Sequence, residues 1–169
     1  MLYTSDERYQ VLVEELRNCI LSENLEISRA EQNLFNYRYH THINFDGALI
    51  PIEITLHTLD ETISICFRHN VVPEDRFEVT VHLVNYINMG IRLQHFAVCH
   101  DVTEDVDVVI MWTGFPVTDS PLDKKLFSKV LAYAIACCEL FCSLITEVIE
   151  SGDLEKVISD FEKVMKTRP

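Results

Sequence analysis

A run of regularly alternating polarity from Phe35 to Asp46 is the feature that most limits what this chain can fold into. Because successive side chains of a β-strand point to opposite faces, the run predicts a strand that is buried on one face only. The dipeptide Asp46-Gly47 is a turn signal, and the alternation resumes from Ile50 to Leu56 and again from Ile63 to Phe67. The pattern therefore predicts a meander of three antiparallel strands.

Helical spacing of apolar residues flanks these strands. A capping box at Thr4-Ser5-Asp6-Glu7 predicts a first helix that ends near Glu23. The stretch from Pro73 to Asn88 fits both a strand and a helix face. We interpret it as a helix because Pro73-Glu74-Asp75 places proline and two acids at a helix N-terminus.

A second pair of strands is predicted from Arg92 to His100 and from Val106 to Phe115, joined by a polar turn from Asp101 to Asp105. Within the later strand, the residues from Val108 to Trp112 are apolar on both faces. This indicates a central strand, or one whose second face is covered by a partner subunit.

A long helix opens at Asp119-Ser120-Pro121-Leu122 and ends at Gly152. Its buried stripe is expected to consist of Leu122, Leu126, Val130, Tyr133, Cys137, Phe141, Leu144 and Val148. Val130 to Ile149 is long enough to span a bilayer, but Glu139 and Glu147 lie within it, so we interpret it as a buried helix without a membrane span. Its neighbouring faces are also apolar, and the helix must be covered on both sides.

These elements predict an α+β fold. An antiparallel sheet of about five strands carries helices packed on it, in the order α-β-β-β-α-β-β-α plus an extra C-terminal helix. Residues 1–152 are expected to form the main domain, and residues 153–169 an amphipathic helix that packs on it or extends it.

Charge and cysteine content narrow the class of partner. The chain has 27 acidic and 14 basic residues and a net charge of −13, which disfavours nucleic acid and anionic membrane surfaces and favours a protein partner. Its six cysteines are scattered mostly in apolar segments, as expected for reduced thiols in the cytoplasm. The first residues show no secretory signal, so a cytoplasmic location is expected.

No group of catalytic residues stands out from the sequence. The four glycines are far apart, which excludes a glycine-rich phosphate loop, and no Gly-x-Ser-x-Gly motif is present. We therefore predict a protein that is not an enzyme, with no catalytic residue and no cofactor.

A small-ligand or metal-binding sensor or enzyme is the alternative. His40 and His42 share one strand face, and Glu53 or His57 on the next strand could complete a site. Histidines on a solvent-facing strand are common without metal, so no metal site is predicted. The cysteines at positions 137, 138 and 142 are interpreted as core residues.

Three segments resemble the YbjN domain and, more distantly, the type III secretion chaperone fold. They are Gly47-Ala48-Leu49-Ile50-Pro51-Ile52, Val72-Pro73-Glu74-Asp75-Arg76 and Leu83-Val84-Asn85-Tyr86-Ile87-Asn88. The resemblance covers about residues 5 to 150. It implies a small, acidic and often dimeric bacterial protein, and the secretion chaperones bind extended client segments along apolar patches and strand edges.

The sequence therefore predicts a non-enzymatic protein-binding module, either chaperone-like or a regulatory adaptor. It is expected to bind an extended segment of a client or regulatory protein and to form a homodimer. The surplus apolar surface of the predicted central strand and of the long helix motivates this expectation. The candidate dimer or partner interface comprises Val106, Val108, Ile110, Trp112, Tyr133 and Phe141.

Overall fold

The computed structural model describes residues 3–45, 48–91, 93–117 and 121–167, which contain four α-helices and six strands. In chain order these are α1 (Tyr3–Ser22), β1 (Arg29–Gln32), β2 (Asn36–Phe45), β3 (Ala48–His57), β4 (Thr62–Val72), α2 (Phe77–Gly90), β5 (His95–Asp101), β6 (Val106–Pro116), α3 (Lys124–Ser151) and α4 (Leu154–Thr167). A short 3-10 turn, Glu74–Arg76, leads into α2. The ambiguous stretch after Pro73 is thus helical, as predicted.

The six strands form one antiparallel sheet in the order β1-β2-β3-β4-β6-β5. The predicted α+β architecture is confirmed, with one strand more than expected. The additional strand, β1, has the sequence RAEQ and pairs with β2 from Arg29↔His40 to Gln32↔Tyr37. A short strand without apolar alternation leaves no periodic signal, and its pairing depends on main-chain hydrogen bonds.

The central hairpins follow the predicted meander. Phe45 pairs with Ala48 across the β2–β3 connection, whose predicted turn residues Asp46 and Gly47 lie outside the described residues. The β3–β4 connection closes between His57 and Thr62.

The chain divides into two compact units. Unit 1 comprises Met1–Phe67 and Trp112–Ile135, and unit 2 comprises Arg68–Met111 and Ala136–Pro169. Three elements, β4, β6 and α3, contribute residues to both. The expected division of the chain at residue 152 stays a prediction.

In unit 1, α1 and the first half of α3 pack on one face of the sheet. The buried residues include Leu12, Leu16, Ile20, Tyr39, Ile52, Ile54, Leu56, Ile63, Ile65, Phe67, Phe127 and Leu131. The Tyr39 hydroxyl donates to the Val13 carbonyl over 2.9 Å, which fixes α1 against β2. Burial is the main reason that the pKa of Tyr39 is raised above its ordinary value.

Helix α3 begins later than predicted. Asp119 and Ser120 lie outside the described residues, and Leu122 precedes the helix. The Asp123 carboxylate accepts from the amides of Lys125 and Leu126 over 2.9 and 3.1 Å, so Asp123 caps the first turn.

The predicted buried stripe of α3 is only partly right. Cys137, Phe141 and Val148 are buried, but Leu126 and Tyr133 are exposed. The fully buried residues of the helix include Phe127, Ala134, Cys138, Ile145 and Val148. Because several faces of this helix are apolar, its periodicity could not determine which face meets the sheet.

α3 is the one helix in the described residues that is long and apolar enough to cross a membrane, with a mean hydropathy of 1.7. Fully buried positions recur along the helix from Phe127 to Val148, and 39% of its most apolar window is buried inside the protein. In unit 2, α4 supplies further cover, since Phe161 lies 5.9 Å from Phe141, ring centre to ring centre. Part of the cover expected for this helix therefore comes from the chain itself.

Unit 2 is closed by contacts at the C-terminal end of α3. Arg76 Nε donates to the Ile149 carbonyl over 3.1 Å, and the Gly152 amide donates to the Val148 carbonyl over 2.8 Å. Gly152 has a φ of 71°, a conformation that favours glycine at the end of a helix. The predicted helix end at Gly152 is confirmed.

His69 is a titratable residue of unit 2 whose ring packs inside the protein. Its ring lies 5.9 Å from that of Phe96, and its Nε2 lies 3.5 Å from Cys138 Sγ. Burial lowers the pKa of His69 from 6.5 to about 4. The folded protein therefore favours the neutral form of the His69 ring.

We predict that this histidine makes the protein sensitive to mild acid. The unfolded chain takes up the proton first, so folding free energy is lost as the pH falls below about 6.5 and continues to be lost to about pH 4, by about 3 kcal/mol in total. Urea unfolding at pH 7.5 and 4.5 should show a smaller pH dependence for His69→Gln than for the wild type. The exposed α2 histidine variant His82→Gln is the control, and an unchanged pH dependence in His69→Gln would contradict the account.

Candidate partner-binding site

The two edges of the sheet differ in whether a side chain already bonds their outer main-chain groups. On β5, the side chain of Asn88 occupies the outer main-chain groups of Phe96. Asn88 Nδ2 donates to the Phe96 carbonyl over 2.8 Å, and the Phe96 amide donates to Asn88 Oδ1 over 2.9 Å. The side-chain amide thus takes the place of a neighbouring strand, and this end of β5 is closed to strand addition.

On β1, in contrast, no side chain among the described residues bonds the outer main-chain groups. The Asn33 amide donates to the Asn36 carbonyl over 3.0 Å, so the odd-numbered residues of β1 are the ones that bond β2. The even-numbered residues, Ala30 and Gln32, therefore direct their N–H and C=O groups away from β2. Among the described residues, nothing bonds these outward groups.

The side chains of β1 are polar and exposed. Arg29 Nε lies 2.7 Å from Glu31 Oε1, and the strand has only four residues. Short, charged edge strands resist uncontrolled pairing between copies of a protein. A partner segment would have to match this edge, so the edge favours selective pairing.

The structure places the six predicted interface residues in different environments. Val108 and Phe141 are buried, with exposed fractions of 3% and 6%, and contribute to the core. Val106 and Ile110 are half-buried, whereas Trp112 and Tyr133 are each 45% exposed. The interface stays a prediction, and Trp112 and Tyr133 are its most exposed members.

The histidine pair of the metal-binding alternative lies on β2 as expected, but no metal centre forms around it. His40 Nε2 lies 3.2 Å from Glu31 Oε1, without hydrogen-bond geometry. Glu53 instead lies 3.1 Å from Arg38 Nε. Within the described part of the chain, no three histidine, cysteine, aspartate or glutamate side chains are grouped so that they could hold a metal ion.

His57 belongs to a hydrogen-bond chain that sequence reasoning missed. Its Nδ1 lies 2.9 Å from Asn36 Oδ1 and its Nε2 lies 2.8 Å from Ser64 Oγ, so the chain joins β2, β3 and β4. The signal was available, because the turn predicted from the dipeptide Asp46-Gly47 implies the observed pairing of Asn36 with His57.

This order of groups also occurs in serine hydrolases, where histidine activates the serine and a third group orients the histidine. Here Ser64 lies in β4, between β3 and β6, where the main-chain amides are used by the sheet. Amide donors for a developing oxyanion are therefore not provided beside Ser64. The geometry supports a structural tie between three strands.

Of the three cysteines predicted to be core residues, Cys137 and Cys138 are buried and Cys142 is half-buried. All six cysteines are free thiols, and Cys19, Cys137 and Cys138 are buried. Burial raises the pKa of Cys138 to about 12, which keeps it protonated. Cys137 Sγ lies 3.6 Å from Gln94 Oε1, and this contact accounts for one of the few buried polar side chains.

No protein-family model matches the sequence, and no curated protein matches it. The arrangement of strands and helices nevertheless defines a known class of α+β fold. The crystal structure of YbjN from E. coli, a proposed transcription regulator, is similar over 80% of this chain and 89% of that one, with a TM-score of 0.57 and 14% identity. The chain therefore has a YbjN-like fold, which confirms the resemblance, and at this identity the similarity shows the fold alone.

We predict that His57 contributes to stability through both ring nitrogens. His57→Leu removes two hydrogen bonds and leaves Asn36 and Ser64 without their partner, which should lower the free energy of unfolding by about 1–3 kcal/mol in urea titrations. His42→Leu, on the same strand face as Asn36, is the matched control and should change it by less than about 0.5 kcal/mol. Equal effects of the two substitutions would refute the structural tie.

Proposed function

We propose that this protein is a non-enzymatic adaptor that binds an extended segment of a partner protein along the edge of β1. The observation that carries the proposal is the difference between the two edges of the sheet. Asn88 closes β5 at Phe96, whereas the main-chain groups of Ala30 and Gln32 point outwards from β1. A peptide in extended conformation bonds such groups as an additional strand.

Two further features support this role. The net charge of −13 would accelerate encounter with a basic partner segment and repel nucleic acid. The YbjN of E. coli is a proposed transcription regulator, and regulation through a bound protein is compatible with an adaptor of the same fold. The chaperone-like role expected from the sequence would use the same edge.

The proposal predicts that proline at an outward-facing position of β1 weakens peptide binding. Ala30→Pro removes an N–H that does not bond β2, so the β1–β2 pairing should survive. Peptides selected on the wild-type protein from a random displayed library should bind Ala30→Pro at least about tenfold more weakly. Ala30→Ser retains the N–H and should bind within about twofold of wild type.

Amide hydrogen exchange locates the bound peptide in the same experiment. Binding should protect the amides of Ala30 and Gln32. Failure to select any peptide, or selected peptides that bind Ala30→Pro as tightly as the wild type, would contradict strand addition at β1.

A homodimer is a second proposal, supported by the exposure of Trp112 and Tyr133. Large exposed aromatic side chains are typical anchors of protein interfaces. Light scattering at micromolar concentration should give twice the chain mass of 19.6 kDa. The double variant Trp112→Ser, Tyr133→Ser should give the monomer mass, and Val102→Ser, which changes another exposed apolar residue, should not. A wild-type mass of one chain would overturn the dimer.

A further inference from the structure

A cavity of about 640 Å³ lies within unit 1, at the end of β1. Residues from the first turns of α1, from the β1–β2 connection and from the β3–β4 connection line it. Its volume is within the range of sites that enclose small molecules or side chains of a bound peptide. Neither the strand pairing of β1 nor the hydrogen-bond chain of His57 accounts for it.

The cavity wall combines apolar surface with balanced charge. Leu34 provides most of the exposed apolar part, and Leu12 and Leu56, which are 5% and 1% exposed, form the core beneath it. Arg8 and Glu61 also line the cavity, and Arg8 Nη2 lies 3.1 Å from Glu61 Oε2. Because these two charges neutralise each other, the wall gives no preference for an anion or a cation. An uncharged group with apolar surface matches it best.

Several polar groups of the wall are left to hydrogen-bond an occupant. The side-chain amide of Gln32 has no partner among the described residues, and Asn33 uses only its Oδ1, which accepts from the amides of Phe35 and Asn36. A side-chain amide can donate to a C=O and accept from an N–H, so these two residues can bond the main chain of a peptide.

The cavity is continuous with the open edge of the sheet. Gln32 lines the cavity with its side chain and presents its main-chain groups at the outer edge of β1. A segment paired with β1 would therefore reach the cavity as it passes Gln32. This inference consequently rests on the proposed function and adds the kind of side chain that the partner must carry.

We propose that this cavity receives an uncharged, apolar side chain of the partner segment, with the adjoining peptide groups bonded by Gln32 and Asn33. The partner is thus an extended segment with a leucine-like or aromatic anchor residue. An acidic or basic residue at the anchor position is rejected, since burying its charge would have no compensating partner beside the Arg8–Glu61 pair.

The test uses blocked single amino acids, which carry one side chain and two amide groups. N-acetyl-leucinamide and N-acetyl-tryptophanamide should shift the amide resonances of Tyr9, Gln32 and Leu34 in the full chain. N-acetyl-aspartamide with a free side-chain carboxylate should not bind, or should bind at least about tenfold more weakly. Equal binding of the acidic compound, or shifts confined to other parts of the protein, would overturn the proposal.

Two variants examine the wall itself. Leu34→Asp places a charge on a residue that is 88% exposed and lines the cavity, and it should weaken N-acetyl-leucinamide binding about tenfold. Leu59→Asp changes a residue that is 79% exposed and does not line the cavity, and it should leave binding unchanged. Equal binding by Leu34→Asp and Leu59→Asp would refute the proposal.

The proposals for the cavity and for the strand edge can be refuted separately. If selected peptides lose binding to Ala30→Pro but bind Leu34→Asp and Leu59→Asp equally, strand addition stands and the anchor cavity is refuted. If the blocked amino acids bind the cavity while Ala30→Pro binds peptides as the wild type does, the anchor site stands as a ligand site and the adaptor proposal fails.

Discussion

The main-chain N–H and C=O groups that the sheet leaves unbonded at its edges determine where this protein can bind another molecule. Every strand inside the sheet has both rows of N–H and C=O groups bonded, whereas an edge strand has one row left over. At β5 the side chain of Asn88 bonds the leftover groups of Phe96 with two short hydrogen bonds. At β1 the corresponding groups of Ala30 and Gln32 have no such cover among the described residues.

The hydrogen bonds inside unit 1 hold the strand on which β1 pairs. In unit 1, α1 is held against β2 by the bond from Tyr39 to the Val13 carbonyl, and Asn36, His57 and Ser64 tie β2, β3 and β4 together. β2 is therefore a firm base for the short strand β1. The cavity at the end of β1 uses the same base, since Leu12 and Leu56 belong to the core beneath it. A rigid scaffold that presents one open edge lowers the entropy cost of binding.

The sequence supported the architecture well because most of the strands and helices have strong periodic signals. The alternation in β2 and β3 and the proline-acid start before α2 each led to the observed element. Prediction failed where the physical cause was not periodic: β1 is polar and is held by main-chain bonds, and the Asp123 cap moved the start of α3. The buried face of α3 was ambiguous because its faces are similarly apolar, so Leu126 and Tyr133 were assigned to the core although they are exposed.

The candidate site was less accessible to sequence reasoning than the fold. An open edge is defined by which hydrogen bonds are missing, and the reciprocal bonds between Asn88 and Phe96 join an α-helix to a strand that follows it. Only the pairing of Asn36 with His57 could have been deduced, from the turn predicted at Asp46-Gly47. The cavity joins residues from three separate segments and had no local pattern.

Amide hydrogen exchange of the free protein tests the central claim most directly, because it reports main-chain protection residue by residue. The account predicts that the Phe96 amide, which is bonded by Asn88, exchanges on the order of 100-fold more slowly than the outward amides of Ala30 and Gln32. The amide of Glu31, directed at β2, should also be slower than its two neighbours. Protection of Ala30 and Gln32 equal to that of Phe96 would show that the edge of β1 is already covered, and would contradict the account.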